Sequence, residues 1–523
     1  MKFYYNKNSE KLIIKESSSS EYNYLRNYLR KKVDGHEWNP KIKMGIWDGM
    51  IDNFNNGYID IGLWKRCYEI CRISRKPFDI INKKDFPINK DIKKEHFVKF
   101  VNEFFKDRKI DGKKFFPYEH QIEAAFKILR NRYCRVEVAT SGGKSLIYSM
   151  VLFYIMKHIK PDAKFLLIVP SITLVTQFYD DMIDYNLGFN KENKQPLDLR
   201  MEEIMSDRPR KHFGQDNPNL YIATYQSLDN DEVWKEEFFE QFYCVTADEA
   251  HKCKAKTLKA ELGKTKGHAF YRFGLSGTYP KEGTTAILDI ESVTGPMVIN
   301  VRADYLMKKD LVAGLMIKTI CLDHNDIGFA EKINNVKKHN PRKALDLEVK
   351  YVQDSDKRME FIVKTLVGKA DKNVLLLFHN TDHGKRLEDF IRFMYPEKEV
   401  HYIDGGVNNK NRNEIKARMK LHEPDNPKVL VASYGTLSTG VSINAIFYII
   451  FADSFKSDVV IRQSIGRGLR KHKDKDKVVV FDITDIFNKK SNRGMLFNQS
   501  KARKRIYDEQ NYDYKDMNLS LNT

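Results

Sequence analysis

Short apolar runs alternate with longer mixed segments through the middle and the end of the chain, and they predict two parallel α/β sheets in succession. In the first series, β-branched and aromatic runs at 133–138, 165–169, 219–223, 242–247 and 269–275 read as strands. After the first of these, Leu146, Ile147, Met150, Val151 and Tyr154 recur at helical spacing. A second series follows near residue 300, with strands predicted at 316–321, 374–378, 400–403, 429–432, 448–451 and 478–481. Strand–helix alternation is the signature of a parallel sheet, so the middle of the chain divides into α/β domains at 106–298 and 299–488.

The pattern differs at the two ends. Residues 1–105 read as a small α+β module. KFYYN and KLIIK pair as strands, a serine run caps a helix over 21–32, and Asn56-Gly57 makes a hairpin turn between 50–54 and 58–61. Trp38 and Trp47 bracket Lys41 and Lys43; they are either a nucleic-acid surface or core tryptophans of a small domain. A charged stretch, 83–114, reads as a connector, and the polar segment 323–347 as a loop or insertion. The last residues, 489–523, form a short helical tail with a basic cluster at Lys501, Arg503, Lys504 and Arg505. That cluster is either a solvated face or a nucleic-acid contact.

Composition narrows the class. In 523 residues, 41% hydrophobic and 12% aromatic side chains describe a globular protein. No run of 18 apolar residues predicts a membrane span, and charge interrupts the N-terminal stretch where a signal peptide would need an apolar core. Lys plus Arg number 90 against 71 Asp plus Glu, a net +19, which favours a polyanionic partner; a lysine-rich genome is the bland alternative. The six cysteines form no CxxC pair or zinc-spaced cluster, a usage that fits a reducing, intracellular compartment. Cys67 and Cys71 fall on one helix face as buried thiols.

Chemistry-bearing residues sit where the first series turns from strand to helix. Val138-Ala139-Thr140-Ser141-Gly142-Gly143-Lys144-Ser145 joins a strand to an apolar helix, so its backbone N–H groups, Lys144 and the Ser145 hydroxyl suit phosphates and Mg²⁺. The usual first glycine of such a loop is Val138 here. At a later strand end, Asp248 is placed to hold the metal opposite Ser145, and Glu249 to orient the attacking water. Ser276 and Thr278, at the next strand end, can hydrogen-bond to the Asp-Glu-Ala-His loop. Upstream, Tyr118 and Gln121 can stack on and read an adenine. Near the far end, Gln463-Ser-Ile-Gly-Arg467-Gly-Leu-Arg470 places two guanidiniums three residues apart, suited to a γ-phosphate.

In this order the segments resemble the helicase motifs of superfamily 2. Phe115–Gln121 is similar to the Q motif, 139–145 to motif I, and Val169 to Leu174 with Gln177 to motif Ia. Ala223-Thr-Tyr-Gln-Ser227 looks like the TxxS-type DNA contact, Asp248 to His251 like motif II in its DEAH form, and Ser276 to Thr278 like motif III. Phe378-His-Asn380 resembles motif IV, 433–442 motif V, and Gln463 to Arg470 motif VI. The N-terminal Asp34, Gly35, Asn39, Pro40, Gly45, Trp47, Asp48 and Gly49 are similar to the leading domain of the UvsW-type helicases of tailed phages.

The resemblance implies two RecA-like domains and ATP with Mg²⁺, held by residues 140–145, Tyr118, Gln121, His251 and Gln463. It implies Lys144, Asp248, Glu249, Arg467 and Arg470 as the hydrolytic set, Ser276 and Thr278 as couplers, and a 3′-to-5′ DNA motor that remodels forks, Holliday junctions and R-loops in recombination and replication. It further implies strand contacts at Pro170, Ser171, Thr173, Thr224, Asn380, Ser433 and Thr436. The expected partners are single-stranded and branched DNA, RNA–DNA hybrids, and phage recombination or single-strand-binding proteins. The expected state is a monomer on DNA in the host cytoplasm, with no membrane. Three departures stand out: Ala139 replaces a frequent proline, motif II reads DEAH where close relatives read DECH, and no glycine-rich segment is evident over 205–214. An RNA helicase or a restriction motor is the competing enzyme reading, although no nuclease motif is recognisable. A nucleic-acid annealing or scaffold protein is the non-enzymatic one.

Overall fold

Parallel strands covered on both faces need apolar residues at nearly every position, and the chain supplies such runs twice. Phe165–Val169 and Val374–Phe378, for example, are buried throughout. The computed structural model describes residues 1–521 except 34–35, 37–38, 107, 111–112, 188–196, 206–216, 230–232, 252–259, 438–442 and 489–492. Met1–Val138 with Gly143–Val301 form one compact unit, and Arg302–Thr523 the body of a second.

The first unit begins with six short strands: β1 (Lys2–Asn6), β2 (Lys11–Glu16), β3 (Arg30–Lys32), β4 (Met50–Asp52), β5 (Tyr58–Asp60) and β6 (Asp79–Ile80). β1 and β2 pair antiparallel, as the apolar pattern predicts, within a sheet of order β5-β2-β1-β6. Helix α1 (Ser19–Leu29) starts at a reciprocal cap: Ser18 N–H donates to Glu21, and Glu21 N–H to the Ser18 hydroxyl. The turn at Asn56-Gly57 forms with both residues at positive φ, but its flanks diverge. β5 joins β2, whereas β4 pairs with β3. The predicted helix over 21–32 stops at Leu29 because Arg30–Lys32 are drawn into that second ladder.

Helix α3 (Trp64–Ile73), which follows the four-residue α2 (Pro40–Lys43), buries Cys67 and Cys71 on one face. They share a core with Phe3, Tyr5, Leu12 and Ile59, and with Tyr133 and Leu288 from the larger sheet. Glu10 fastens this junction. Its carboxylate accepts from Arg272, from the Tyr133 hydroxyl at 3.0 Å and from Gly267 N–H at 3.0 Å. A second knot joins Arg66 of α3 to Glu291 at 2.6 Å and to Glu282 at 2.6 Å. Both carboxylates also accept from Arg135.

The charged stretch 83–114 is more than a connector. It contains α4 (Lys94–Phe105), which buries Phe97, Phe100, Val101, Phe104 and Phe105, and then a small ladder, β7 (Lys109–Ile110) with β8 (Lys113–Lys114). Abundant lysine masks the apolar face of that helix when composition alone is read.

Seven parallel strands follow: β9 (Tyr133–Val138), β10 (Phe165–Val169), β11 (Met201–Ile204), β12 (Leu220–Thr224), β13 (Cys244–Asp248), β14 (Tyr271–Ser276) and β15 (Met297–Val301), in the order β11-β12-β10-β13-β14-β9-β15. The second unit repeats the design with β16 (Gly314–Asp323), β17 (Val374–Phe378), β18 (Val400–Ile403), β19 (Val429–Ser433), β20 (Tyr448–Phe451), β21 (Lys477–Ile486) and β22 (Tyr514–Ser520), in the order β18-β19-β17-β20-β21-β16-β22. With the strands of each sheet numbered from one to seven along the chain, both orders read 3-4-2-5-6-1-7. The two sheets are wound identically.

Two further expectations need correction. Segment 323–347 is helical, with Ile327–His339 capped by Asp326 and Pro341–Asp354 capped by Asn340 with Pro341 at its first turn. These helices bury only narrow stripes such as Ala330 and Ile333, so hydropathy hides them. The tail is a helix, Met495–Glu509, followed by β22, which pairs with β16. Its basic cluster is not uniformly solvated, because Arg503 is fully buried against Asp482, Ser454 and Thr484.

Candidate active site

Residues that end consecutive parallel strands collect along one sheet edge, and in the first unit that edge gathers most of the candidate chemistry. β9 ends at Val138 and α6 (Lys144–Tyr154) begins six residues later, with Gly143 as its N-terminal flank. Gly143 has φ +84°, and a Cβ built on it would lie 2.1 Å from Nε2 of Gln121, so both conformation and space demand glycine. Gln121 is buried in the first turn of α5 (Glu119–Asn131), and its Oε1 accepts from Tyr118 N–H at 2.8 Å. Tyr118 itself is 48% exposed, its ring stacked on His120. The glutamine thus braces the loop while the tyrosine remains available to a ring.

Lys144 Nζ lies 3.2 Å from Glu249 Oε1, and the Ser145 hydroxyl 3.2 Å from that of Tyr185. Burial pushes the Tyr185 phenol up to about 12, so it is a neutral partner. Asp248 closes β13 and is buried, and the Tyr225 hydroxyl donates to its backbone carbonyl at 3.4 Å. Glu249 has φ +47°, a left-handed conformation that costs a non-glycine residue of order 1–3 kcal/mol and that turns the chain sharply at the strand end.

From Glu249 a hydrogen-bonded chain runs to the next strand. His251 Nδ1 is 3.3 Å from Glu249 Oε2 and 2.7 Å from the Ser276 hydroxyl. Ser276 donates to the Thr278 carbonyl at 2.7 Å and accepts from Thr278 N–H at 2.9 Å. Its single proton is therefore used, and His251 must be the donor, which assigns the proton to Nδ1. Lys144, Glu249, His251, Ser276 and Thr278 form one connected line across three strand ends.

The same edge carries Pro170, Ser171 and Thr173 where β10 enters α7 (Ile172–Leu187), all half-buried. Thr224 ends β12 and caps the one-turn helix Tyr225–Leu228. Its hydroxyl is 2.7 Å from that of Ser227 and buried. Backbone and turn position, rather than the Thr224 hydroxyl, are what this segment presents.

The second unit repeats that corner. Ser433 ends β19, its hydroxyl lies 2.7 Å from that of Thr436, and the Tyr434 hydroxyl donates to the Asp453 carbonyl at 3.0 Å. Asn380 is exposed and caps Thr381–Met394 through Asp382 N–H. Asp453 is a residue the motif pattern missed. Its carboxylate accepts from His379 N–H at 2.7 Å and lies 2.9 Å from His383 Nδ1, so it sets the motif IV turn. Burial alone would raise its pKa, yet His383 and the His379 N–H hold it well below the usual carboxylate range. A sequence signal exists: Ala452-Asp453 repeats Ala247-Asp248 at the fifth strand of each sheet.

Gln463 and Arg467 are buried in the helix Asp458–Gly468, with Arg467 in its last turn and Arg470 just past the end, half-buried. Trp47 is half-buried, with Nε1 donating to the Met50 carbonyl at 3.1 Å. Trp38, Asp34, Gly35, the 438–442 part of motif V and residues 206–214 lie outside the described residues. Among the described residues, no helix is long and apolar enough to cross a membrane.

Three family models match in sequence: "DNA helicase UvsW, N-terminal" over residues 2–76, "Type III restriction enzyme, res subunit" over 114–281, and "Helicase conserved C-terminal domain" over 357–472. The ATP-dependent DNA helicase uvsW of Enterobacteria phage T4 is 28% identical over 476 residues, covering 90% of this chain and 88% of that protein. The crystal structure of T4 UvsW aligns over 99% of both chains at 24% identity, with a TM-score of 0.49. A fragment of a putative type I restriction HsdR subunit from Vibrio vulnificus is 13% identical. It aligns over 80% of this chain and 71% of that one with a TM-score of 0.53, a likeness of fold alone. With a UvsW-specific module in front of two identically wound sheets that carry the helicase motifs in order, the chain belongs to the UvsW-type superfamily 2 helicases.

Proposed function

We propose that the chain is an ATP-dependent DNA helicase that remodels branched DNA such as forks, Holliday junctions and R-loops. The observation that carries the reading is the line from Lys144 through Glu249, His251 and Ser276 to Thr278, which joins the phosphate-binding lysine to the residue that orients water and on to the coupling motif.

ATP is the substrate. Lys144 and the N–H groups of residues 142–145 bind its phosphates, and Tyr118 stacks on the base. Lys144 pairs with Glu249. When phosphate oxygens take the lysine, Glu249 is released to hold the attacking water. The Ser145 hydroxyl and the Asp248 carboxylate are hard oxygen donors and fit Mg²⁺. Mg²⁺ there would neutralise charge developing on the phosphates. Arg467 and Arg470, carried by the second domain, are assigned to the γ-phosphate. Loss of that phosphate changes the Glu249–His251–Ser276 line, and through it the grip on DNA at 170–173, 224, 380, 433 and 436.

The test is Lys144→Ala, measured as ATP hydrolysis stimulated by single strands, forks, four-way junctions, R-loops and RNA duplexes. The expected result is loss of stimulated turnover in the variant and, in the parent, preference for branched DNA. Turnover near normal in Lys144→Ala refutes the active site, and equal or greater unwinding of RNA duplexes refutes the DNA assignment.

A further inference from the structure

The N-terminal module displays far more apolar surface than its size warrants. Of the sixteen large hydrophobic side chains exposed among the described residues, half fall within the first 81 positions. Two of the most exposed, Met44 at 71% and Ile46 at 68%, stand two residues apart on one turn. A pair of bare apolar tips is unfavourable in water unless something covers it during function.

The turn is not a loose loop. Asn39 caps Pro40–Lys43 by accepting from Lys41 N–H at 3.0 Å, and Met44 N–H donates to the Pro40 carbonyl at 3.0 Å. The chain reverses at Gly45, with φ +68°, and Ile46 and Trp47 N–H groups return to the Lys41 carbonyl at 2.8 and 3.2 Å. Trp47 Nε1 then reaches the Met50 carbonyl, and Asp48 pairs with Arg30. The tip is thus fixed from both sides, with the two apolar side chains held outward.

Its surroundings are basic. Lys41 and Lys43 are exposed on the same turn, and Lys32 is exposed on the adjacent β3–β4 ladder, whose strand β3 reads Arg30-Lys31-Lys32. Among the described residues, Asp48 pairs with Arg30 and Asp52 with Arg26. A rigid apolar tip ringed by cations matches duplex DNA at a branch. There, phosphates flank the open face of a terminal base pair, and apolar side chains such as Met and Ile are wedges that unstack bases.

We propose that Met44 and Ile46 form a strand-separating wedge that stacks on the last base pair of a DNA branch, with Lys41, Lys43 and Lys32 on the flanking phosphates. The proposal rests on the DNA-helicase reading but is separable from it, because wedging does not require hydrolysis.

The test uses the full chain on a fork carrying 2-aminopurine in its last base pair, without nucleotide and then with ATP. The parent is expected to raise the 2-aminopurine fluorescence on binding. Met44→Ser/Ile46→Ser should lose that rise and unwind forks at least tenfold more slowly, while single-strand-stimulated hydrolysis stays within twofold of the parent. Met44→Leu/Ile46→Leu should retain both signals. A serine variant that keeps the fluorescence rise and the unwinding rate overturns the wedge, and leaves the tip as a surface for a protein. Hydrolysis falling in step with unwinding overturns it as well. If the parent shows no DNA-stimulated hydrolysis, the helicase reading fails, and the fluorescence rise with its dependence on residues 44 and 46 still decides the wedge.

Discussion

Lys144 and Glu249 face each other as an ion pair at 3.2 Å, each side chain about 15% exposed. The lysine begins α6 and the glutamate follows β13, so the pair spans the two strand ends between which a nucleotide's phosphates would lie.

Glu249→Gln should leave nucleotide binding within a few-fold of the parent and lower the hydrolysis step by about 100-fold or more, the usual contribution of a general base or water-orienting group. Single-turnover hydrolysis beside a fluorescent-nucleotide titration separates the two. A glutamine variant that hydrolyses at the parent rate removes Glu249 from the chemistry.

Ser276→Ala breaks the line at its middle. Ser276 is fully buried and makes three contacts, to His251, Thr278 N–H and the Thr278 carbonyl, so the variant loses roughly 1–3 kcal/mol of stability. DNA-stimulated hydrolysis should persist at a third or more of the parent rate while unwinding falls at least tenfold. If both activities drop in the same proportion, Ser276 supports the fold and does not couple.

What could be read from the sequence, and what could not, follows from where each residue's partner lies. The strands β10 and β17 are legible to the residue because both faces are buried and every position is apolar, and β9 is legible although it carries Arg135 and Glu137 between its apolar positions. The edge strands β11, reading MEEI, and β22, reading YKDMNLS, have one open side and carry no such run. Ser18 is legible because its partner is three residues away. Asp453 is not, because the N–H groups it positions are more than 70 residues upstream. The Lys144 and Glu249 motifs were separately readable from strand ends, but their pairing and the His251 tautomer depend on distances that only the folded sheet fixes.

Glu10 and Arg272 make the tightest tie between the N-terminal module and the larger sheet, and both side chains are essentially inaccessible to water. Glu10→Gln leaves the Arg272 guanidinium buried without its counter-charge and should destabilise the first unit by about 3–5 kcal/mol. Glu10→Gln/Arg272→Met removes the stranded charge and should recover most of that loss, since a buried pair is often replaceable by apolar groups at little net cost. Thermal unfolding of the full chain for the parent, the single and the double variant decides it. A double variant less stable than the single one refutes the account.

Lys475 offers a prediction in pH. Its ammonium is buried and donates to the carbonyls of Asn444 at 2.6 Å, Ile446 at 3.0 Å and Gly468 at 2.9 Å, which ties the end of the motif VI helix to the approach to β20. Burial, with Arg470 adding repulsion, pushes its pKa down to about 7 from 10.5, despite those three acceptors. Between these values the unfolded chain binds a proton that the folded chain does not, so this group makes stability rise with pH from about 7 to about 10.5. The slope approaches 1.4 kcal/mol per pH unit in the middle of that window. Lys416, pushed down to about 8 by burial and by Arg467, acts in the same direction, so the parent alone does not isolate Lys475. Lys475→Met against the parent does. The variant is expected to be less stable, with three carbonyls left without their donor, and its stability should rise less steeply across pH 7.5–9.5. Denaturant midpoints at four pH values measure the difference, and parallel slopes would show that Lys475 stays protonated in the fold.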